Sequence, residues 1–251
     1  MSKLAFITGA SAGIGKATAV KLAELGYDLI LNGRREDRLL NLQKELTQKY
    51  SIKIYLSAFD VSDRKAAEMA LASLGVVADQ VDVLINNAGL ALGAEKVQSA
   101  SLDDWEVMID TNIKGLLYLT RFFVPKFIKS GRGHIVNLGS VAGRWVYPGG
   151  NVYCATKHAV KAISEGLRMD LLGTPVRVTN IEPGMVETDF SLVRFGDPAK
   201  AKAVYQGMTP LSADDIADCV IWSLSRPPHV NIQEMVVFPT DQAAIQMVHR
   251  R

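Results

Sequence analysis

Apolar, largely β-branched residues gather along this chain in seven short runs: LAFIT at 4–8, DLILN at 28–32, KIYLSA at 53–58, DVLIN at 82–86, HIVNLG at 134–139, VRVTNI at 176–181 and MVVF at 235–238. Within each run, apolar side chains occupy successive positions instead of alternating, the pattern of a strand covered on both faces. The longer intervals carry helical spacing, as in KATAVKLAEL at 16–25, which stops at Gly26. Strand and helix therefore alternate, which predicts an α/β fold. Right-handed crossovers place helices on both faces of a parallel sheet of about seven strands, a single doubly wound, Rossmann-like domain.

Nothing in the chain divides that domain. No Pro/Gly/Ser-rich linker, repeat or low-complexity tract occurs, so residues 1–251 are read as one unit. Residues 186–211 (VETDFSLVRFGDPAKAKAVYQGMTPL) break the alternation and are the expected place for a variable substrate loop or lid. The most apolar long segment, GLLYLTRFFVPKFI, is interrupted by Arg121, Pro125 and Lys126 and falls short of the ~20 apolar residues a membrane span needs. It reads as a buried helix. Ahead of it, Trp105, Met108, Leu116 and Leu119 fall at helical spacing and are assigned to core or subunit packing.

Composition narrows the function classes. With 28 basic and 26 acidic residues the net charge is only +2, and no long Lys/Arg run would track a phosphate backbone, so nucleic acid is not an expected partner. Cys154 and Cys219 lie far apart without metal-ligand spacing, no metal is expected, and the first apolar run is too short for a signal peptide. The expected compartment is the reducing cytoplasm, away from membranes.

The first run leads directly into TGASAGIG, with Gly9, Gly13 and Gly15 ahead of a helix. Residues without a Cβ let the backbone turn tightly and approach a pyrophosphate, whose charge meets the free N–H groups and positive end of the helix. The spacing is G-x-x-x-G-x-G, with Thr18 where the commoner G-x-G-x-x-G pattern would continue. About 20 residues on, a dinucleotide site usually holds an acid for the ribose hydroxyls. Here Gly33, Arg34 and Arg35 stand in its place. A guanidinium grips a 2′-phosphate that a carboxylate would repel, so NADP is the expected cofactor. The alternative is that both arginines are solvated charges opening the next helix.

Tyr153 and Lys157 are separated by four residues and share one helix face. A phenol with its ordinary pKa near 10 is a poor acid at neutral pH, but an adjacent ammonium favours the phenolate and makes it a credible acid and base. By that electrostatic logic Tyr153 is expected to titrate low. Cys154 has no Cys/His arrangement around it and is read as a small packed side chain; His134 and His158 are read as structural.

Together these residues resemble the short-chain dehydrogenase/reductases over nearly the whole chain. The resemblance is carried by TGASAGIG at 8–15, DV at 60–61, NNAG at 86–89, Asn112 in DTN, Ser140 in GSVAG, YCATK at 153–157 and PG at 183–184. It implies that Tyr153 is the catalytic acid/base, that Lys157 binds the nicotinamide ribose and lowers the tyrosine, that Ser140 orients the substrate carbonyl and that Asn112 anchors a proton-relay water. It also implies a cofactor-binding set of Gly9, Ser11, Gly13, Ile14 and Gly15 in the turn, Gly33, Arg34 and Arg35 after the second strand, Asp60 and Val61 at the adenine, Asn86, Ala88 and Gly89 along the cofactor, Tyr153 and Lys157, and Pro183, Gly184, Val186 and Thr188 at the nicotinamide. Proteins of this kind are commonly homotetramers.

Within that family, NNAGLALG, DTNIKGLLYLTRF, GGNVYCATK and VRVTNIEPGMVETDFSLVRF are most similar to the NADP-dependent 3-hydroxy acid dehydrogenases, which oxidise serine, allo-threonine and related acids. A carboxylate substrate needs a basic partner, and Arg144 and Arg194 are the candidates, each with the alternative of being a solvated surface charge. Two other functions stay open: a carbonyl reductase for another ketone or a 3-oxoacyl thioester, and a non-catalytic NADP-sensing protein. The joint presence of Ser140, Tyr153 and Lys157 weighs against the latter.

Overall fold

The computed structural model describes residues 3–251; Met1 and Ser2, the start of the domain read as 1–251, lie outside the described residues. The strands are β1 (Leu4–Ile7), β2 (Asp28–Gly33), β3 (Ile54–Ala58), β4 (Val81–Asn86), β5 (Gly133–Leu138), β6 (Val176–Pro183) and β7 (Glu234–Val237). All pair in parallel, in the order β3-β2-β1-β4-β5-β6-β7. Each predicted run becomes one of these strands, with ends displaced by one or two residues.

The period of two divides the strand side chains between two cores. On one face Ile7, Leu31, Ile85 and Val136 meet α1 (Gly13–Glu24), α2 (Glu36–Lys49) and α9 (Ala213–Leu224). On the other, Phe6, Ile30, Leu84 and Ile135 meet α3 (Arg64–Ser73) and α5 (Leu116–Ser130). Apolar character at every position follows from this two-sided burial. The apolar segment around α5 is the buried helix expected, and no helix of the structure is long and apolar enough to cross a membrane among the described residues. Met108, Leu116 and Leu119 are buried, whereas Trp105 is only partly covered.

Between α4 (Leu102–Ile109) and α5 the helix runs on without a break through a π-helical turn, Asp110–Gly115, which contains Asn112. The long helix α6 (Asn151–Asp170) carries Tyr153 and Lys157. The segment expected as a loop, 186–211, is instead a flap of two short helices, α7 (Phe190–Phe195) and α8 (Pro198–Ala203), closed at its base by a parallel bridge between Val186 and Leu211. A small hairpin of β8 (Gln242–Ala244) and β9 (Met247–Val248), which the sequence pattern does not predict, follows β7.

Phe123 is the centre of the second core: fully buried, its ring centroid lies 5.2 Å from that of Phe6, 5.0 Å from Phe122 and 5.9 Å from Phe127. Phe123→Ala is expected to cost about 3–5 kcal/mol of unfolding free energy, from lost burial and the cavity left behind, read from urea denaturation midpoints.

Candidate active site

The strand order reverses between β1 and β4, and a cleft of about 550 Å³ opens there at the carboxyl ends of the strands, the place where open parallel sheets take ligands. Its floor is the glycine turn. Gly9 and Gly13 have φ of +65° and +52°, and a Cβ on Gly9 would stand 2.8 Å from Asn87 Nδ2. Gly15 faces away from the cleft; a Cβ there would lie 2.4 Å from the Gly9 carbonyl, so its absence lets α1 sit on the turn. Ser11 and Ile14 line the wall. The N-cap Ala12 offers no side-chain acceptor and the first turn of α1 holds no acidic residue, so the helix N–H groups and positive end remain for an anion.

The turn is held by residues that the motif reading passes over. Thr8 Oγ1 accepts from the backbone N–H groups of Asn87 and Ala88, both at 2.9 Å, and Asn87 Nδ2 donates to the Thr8 carbonyl at 2.9 Å. The polar residues just before Gly9 and Ala88, Thr8 and Asn87, are the sequence signal for this stitch. Asn86, expected along the cofactor, does not line the cleft: it is buried, and its Nδ2 donates to Thr120 Oγ1 (3.1 Å) and Asn137 Oδ1 (2.9 Å). Ala88 and Gly89 line the cleft instead.

Gly33, Arg34 and Arg35 form the rim beyond the turn. Arg34 pairs loosely with Asp60 at 3.5 Å, and Arg35 donates to Ser11 Oγ at 3.2 Å; both side chains are exposed. Asp60 keeps its other oxygen on the backbone N–H (2.9 Å) and hydroxyl (2.7 Å) of Ser62, and Val61 packs against Gly115. Two guanidinium groups thus stand beside the free end of α1, suited to a phosphate.

At the other end, Ser140 caps the 3₁₀ turn Val141–Gly143 by accepting the Ala142 N–H at 3.1 Å, and it shares the cleft wall with Tyr153. Lys157 Nζ donates to the Leu138 carbonyl at 2.7 Å and lies 5.9 Å from the centroid of the Tyr153 ring. The expectation of a low-titrating phenol does not hold for the chain's own groups. Burial pushes Tyr153 above its ordinary range, with Tyr147 adding to the effect and Ser140 and Arg194 opposing it. Lys157 is itself buried and drawn down to about 8, so desolvation acts on both members of the pair.

Asn112 lies behind this pair. Its Nδ2 donates to the Leu90 carbonyl (2.8 Å) and Thr156 Oγ1 (3.0 Å), and its Oδ1 accepts the Leu90 N–H (2.9 Å). Both amide protons are engaged, so its side chain clips the loop after β4 to α6. Pro183 and Gly184 end β6, a Cβ on Gly184 would stand 2.4 Å from Gln242 Oε1, and Val186 and Thr188 continue the wall.

Residues 3–195 match the short chain dehydrogenase family. The chain belongs to that family. It is 46% identical over 251 residues to the NADP-dependent 3-hydroxy acid dehydrogenase YdfG of Escherichia coli (strain K12), covering 99% of this chain and 100% of the relative. It is 47% identical over 245 residues to sulfoacetaldehyde reductase 2 of Chromohalobacter salexigens, covering 97% and 96%. Its fold superposes on the closed form of serine dehydrogenase complexed with NADP+ with a TM-score of 0.92 at 46% identity, covering 99% of this chain and 100% of that one.

The two arginines proposed for the substrate part company in this dehydrogenase. Arg144 points away from the cleft, with its Nε on buried Glu182 and an Nη on Glu234. Arg194, on α7, lines the cleft: Nε donates to the Gly93 carbonyl (2.9 Å), Nη1 to the Tyr147 hydroxyl (2.9 Å) and Nη2 to the Gly149 carbonyl (3.5 Å). All three partners are neutral. Cys154 is fully buried, His134 is buried and drawn down to about 3 by desolvation, and His158 bonds the Cys154 carbonyl, so none supplies a second acid–base centre. No cluster of potential metal ligands occurs among the described residues.

The Lys157 shift has a measurable consequence. Its ordinary value is 10.5, so between about 8 and 10.5 the unfolded chain holds a proton that the folded chain has released, and stability rises with pH through that window. Tyr153, displaced upward, acts in the opposite sense only above about 10. Urea unfolding between about pH 8 and 9.5 is expected to show a gain of order 1–2 kcal/mol in the wild type and none in Lys157→Met.

Proposed function

We propose that this chain is an NADP-dependent oxidoreductase acting at the hydroxyl-bearing carbon of a small 3-hydroxy acid such as serine or allo-threonine. The observation that carries the reading is Arg194: a guanidinium on the cleft wall, held by three neutral acceptors, on the flap that covers Tyr153. No carboxylate pairs with it directly, Glu95 acting on it only at longer range, and a substrate carboxylate supplies that direct ion pair.

The cleft fits the cofactor by its own geometry, with a glycine cradle that a Cβ would fill, an uncapped helix start and two rim arginines. Gly9, Ser11, Gly13 and Ile14 would hold the pyrophosphate, Arg34 and Arg35 the 2′-phosphate, Asp60 and Val61 the adenine, and Lys157 and Thr188 the nicotinamide end. When bound, the cofactor supplies the hydride chemistry. The protein's part is the proton and the alignment. Tyr153 Oη takes the proton of the substrate hydroxyl in oxidation and returns it in reduction; Ser140 donates a hydrogen bond to the same oxygen as negative charge builds there. Lys157 remains cationic at neutral pH, and its charge opposes the desolvation that raises the phenol. Arg194 fixes the acid end, so the reacting carbon is presented in one orientation.

A sulfonate satisfies the same guanidinium, and the similarity to a sulfoacetaldehyde reductase gives a second reading, in which a sulfonated aldehyde is reduced. The reading also takes residues 1–251 as one catalytic domain working as a cytoplasmic homotetramer. Exposed Val107 and Leu117 on the α4–α5 face, and Trp222 and Val236 near β7, support assembly; light scattering on the purified protein measures it.

Oxidation followed at 340 nm across 3-hydroxy acids, sulfonated analogues and neutral alcohols separates these substrates. Arg194→Ala is expected to raise KM for the acids by about 10- to 100-fold, the worth of a charge-assisted hydrogen bond, while a neutral alcohol is little affected. Equal loss on acids and neutral alcohols assigns Arg194 to the flap alone.

Cofactor choice is tested separately. Arg34→Ala or Arg35→Ala is expected to weaken NADP by roughly 10-fold or more and leave NAD unaffected. A Cβ on Gly33 would lie 3.4 Å from Ser11 Oγ, so Gly33→Asp fits sterically and places a carboxylate against the phosphate. The kcat/KM ratio for NADP over NAD is expected to fall in all three.

A further inference from the structure

Arg144 is left without a role in the cleft, yet its side chain stands at the meeting point of four elements. Ser140 begins a short turn that ends at Arg144: Gly143 N–H bonds the Ser140 carbonyl (2.8 Å) and Arg144 N–H bonds the Val141 carbonyl (3.0 Å). The guanidinium then binds Glu182 of β6 through Nε and Glu234 of β7 through Nη2. Glu182 is fully buried, and its second oxygen accepts from Asn180 Nδ2 at 2.6 Å. Glu234 also meets Lys161 at 3.3 Å, one helical turn beyond Lys157 on α6.

The turn presses on the reacting groups from behind. A Cβ on Gly143 would lie 2.7 Å from the Lys157 carbonyl oxygen, and one on Gly139 would lie 2.5 Å from Asn180 Oδ1 and 3.0 Å from Glu182 Cγ. No slack separates the turn from α6 on one side or the Asn180–Glu182 layer on the other. A buried carboxylate needs a charged partner, and Arg144 is the only cation paired with Glu182 among the described residues. The ion pair therefore locks Arg144, and with it the Ser140 end of the turn, onto the sheet.

We infer that Arg144 and Glu182 are positioning residues: their ion pair, buried on the Glu182 side and extended through Glu234 to Lys161, sets the distance between Ser140 on the turn and Tyr153 and Lys157 on α6. The inference rests on the proposed roles of those three residues. It predicts that loss of the pair lowers the rate of the chemical step without loosening the cofactor, because the glycine turn and the rim arginines lie at the opposite end of the cleft.

The test compares Arg144→Met, Glu182→Gln and the double variant with wild type, using whichever alcohol or carbonyl compound the wild type turns over best. Glutamine keeps an acceptor for Asn180, and the double variant leaves no unpaired buried charge, so it folds even if a single variant does not. Expected are a fall in kcat of about 10- to 100-fold in every folded variant, NADPH dissociation constants from fluorescence quenching within about threefold, and a double variant whose melting temperature recovers while its kcat does not. A kcat within about twofold of wild type in any folded variant, or a kcat that recovers along with the melting temperature in the double variant, overturns the inference. Tyr153→Phe is run beside them. If it retains turnover, the catalytic assignment itself fails; if it is inactive while the Arg144 and Glu182 variants match wild type, only the positioning role fails.

Discussion

The hydrogen bond from Lys157 Nζ to the Leu138 carbonyl joins a helix to the end of a strand, and the active end of the cleft depends on it. It fixes α6 in register against β5, which places Tyr153 one turn earlier over the cleft and Ser140 two residues beyond the strand end. The bond is costly to arrange, since an ammonium has been brought into a buried site and titrates near 8 in consequence. Such a group persists where its position matters more than its desolvation. Its charge at neutral pH stands 5.9 Å from the ring centroid of a phenol that burial drives the other way.

The same constraint, polar groups held in a dry interior, organises the sheet ends around it. A parallel sheet covered on both faces leaves little water for the buried side chains near its carboxyl edge, so their donors are taken up by one another. Asn86 binds Asn137 and Thr120, Asn137 donates to Ser164 on α6, and Asn180 donates to Glu182. These bonds tie β4 and β5 to α5 and α6 at the level of the cleft floor, and the last braces the end of β6 internally. The result is a rigid platform on which hydrogen-bond donors can face a developing charge without rearranging.

Two-sided burial also explains why the fold was so readable. A strand that must be apolar at each position writes an uninterrupted run, and all seven runs became strands. The flap was legible only as a break in rhythm, because α7 and α8 are each too short for a helical period to declare itself. The β8–β9 hairpin, of three residues and two, left no pattern at all. At the site, residue type indicated chemistry but not direction. Adjacent residues at a strand end face opposite ways, so of the pair in NNAG the motif could not say that Asn86 turns inward and Asn87 toward the glycine turn. Arg144 was misplaced for a related reason: its partners Glu182 and Glu234 lie 38 and 90 residues away, and no local spacing announces them. For the tyrosine, the chain's own groups move the phenol upward where helix spacing alone pointed down, because a sequence gives separation along a helix and says nothing of the dielectric around it.

The division of labour between platform and flap accounts for how one fold serves several substrates. In the proposed reaction sheet ends, glycine turn and α6 hold the cofactor and the proton, and their geometry is set by packing that admits little change. The flap meets the rest of the chain through Arg194 to Gly93 and Tyr147, Arg38 to Asp189, Thr209 to Asp241 and the Phe190 ring against Tyr153, while Tyr205 braces it internally through Ser191 and the Val186 carbonyl. Short helices on polar tethers are exchangeable at small cost to the core beneath, so specificity can drift there while hydride chemistry stays fixed. That two relatives of equal similarity, named for a hydroxy acid and for a sulfonated aldehyde, align over nearly all of this chain is what such an arrangement produces. What the two compound classes share is a small carbon skeleton ending in an anion, the group for which we proposed the Arg194 guanidinium on the flap as partner.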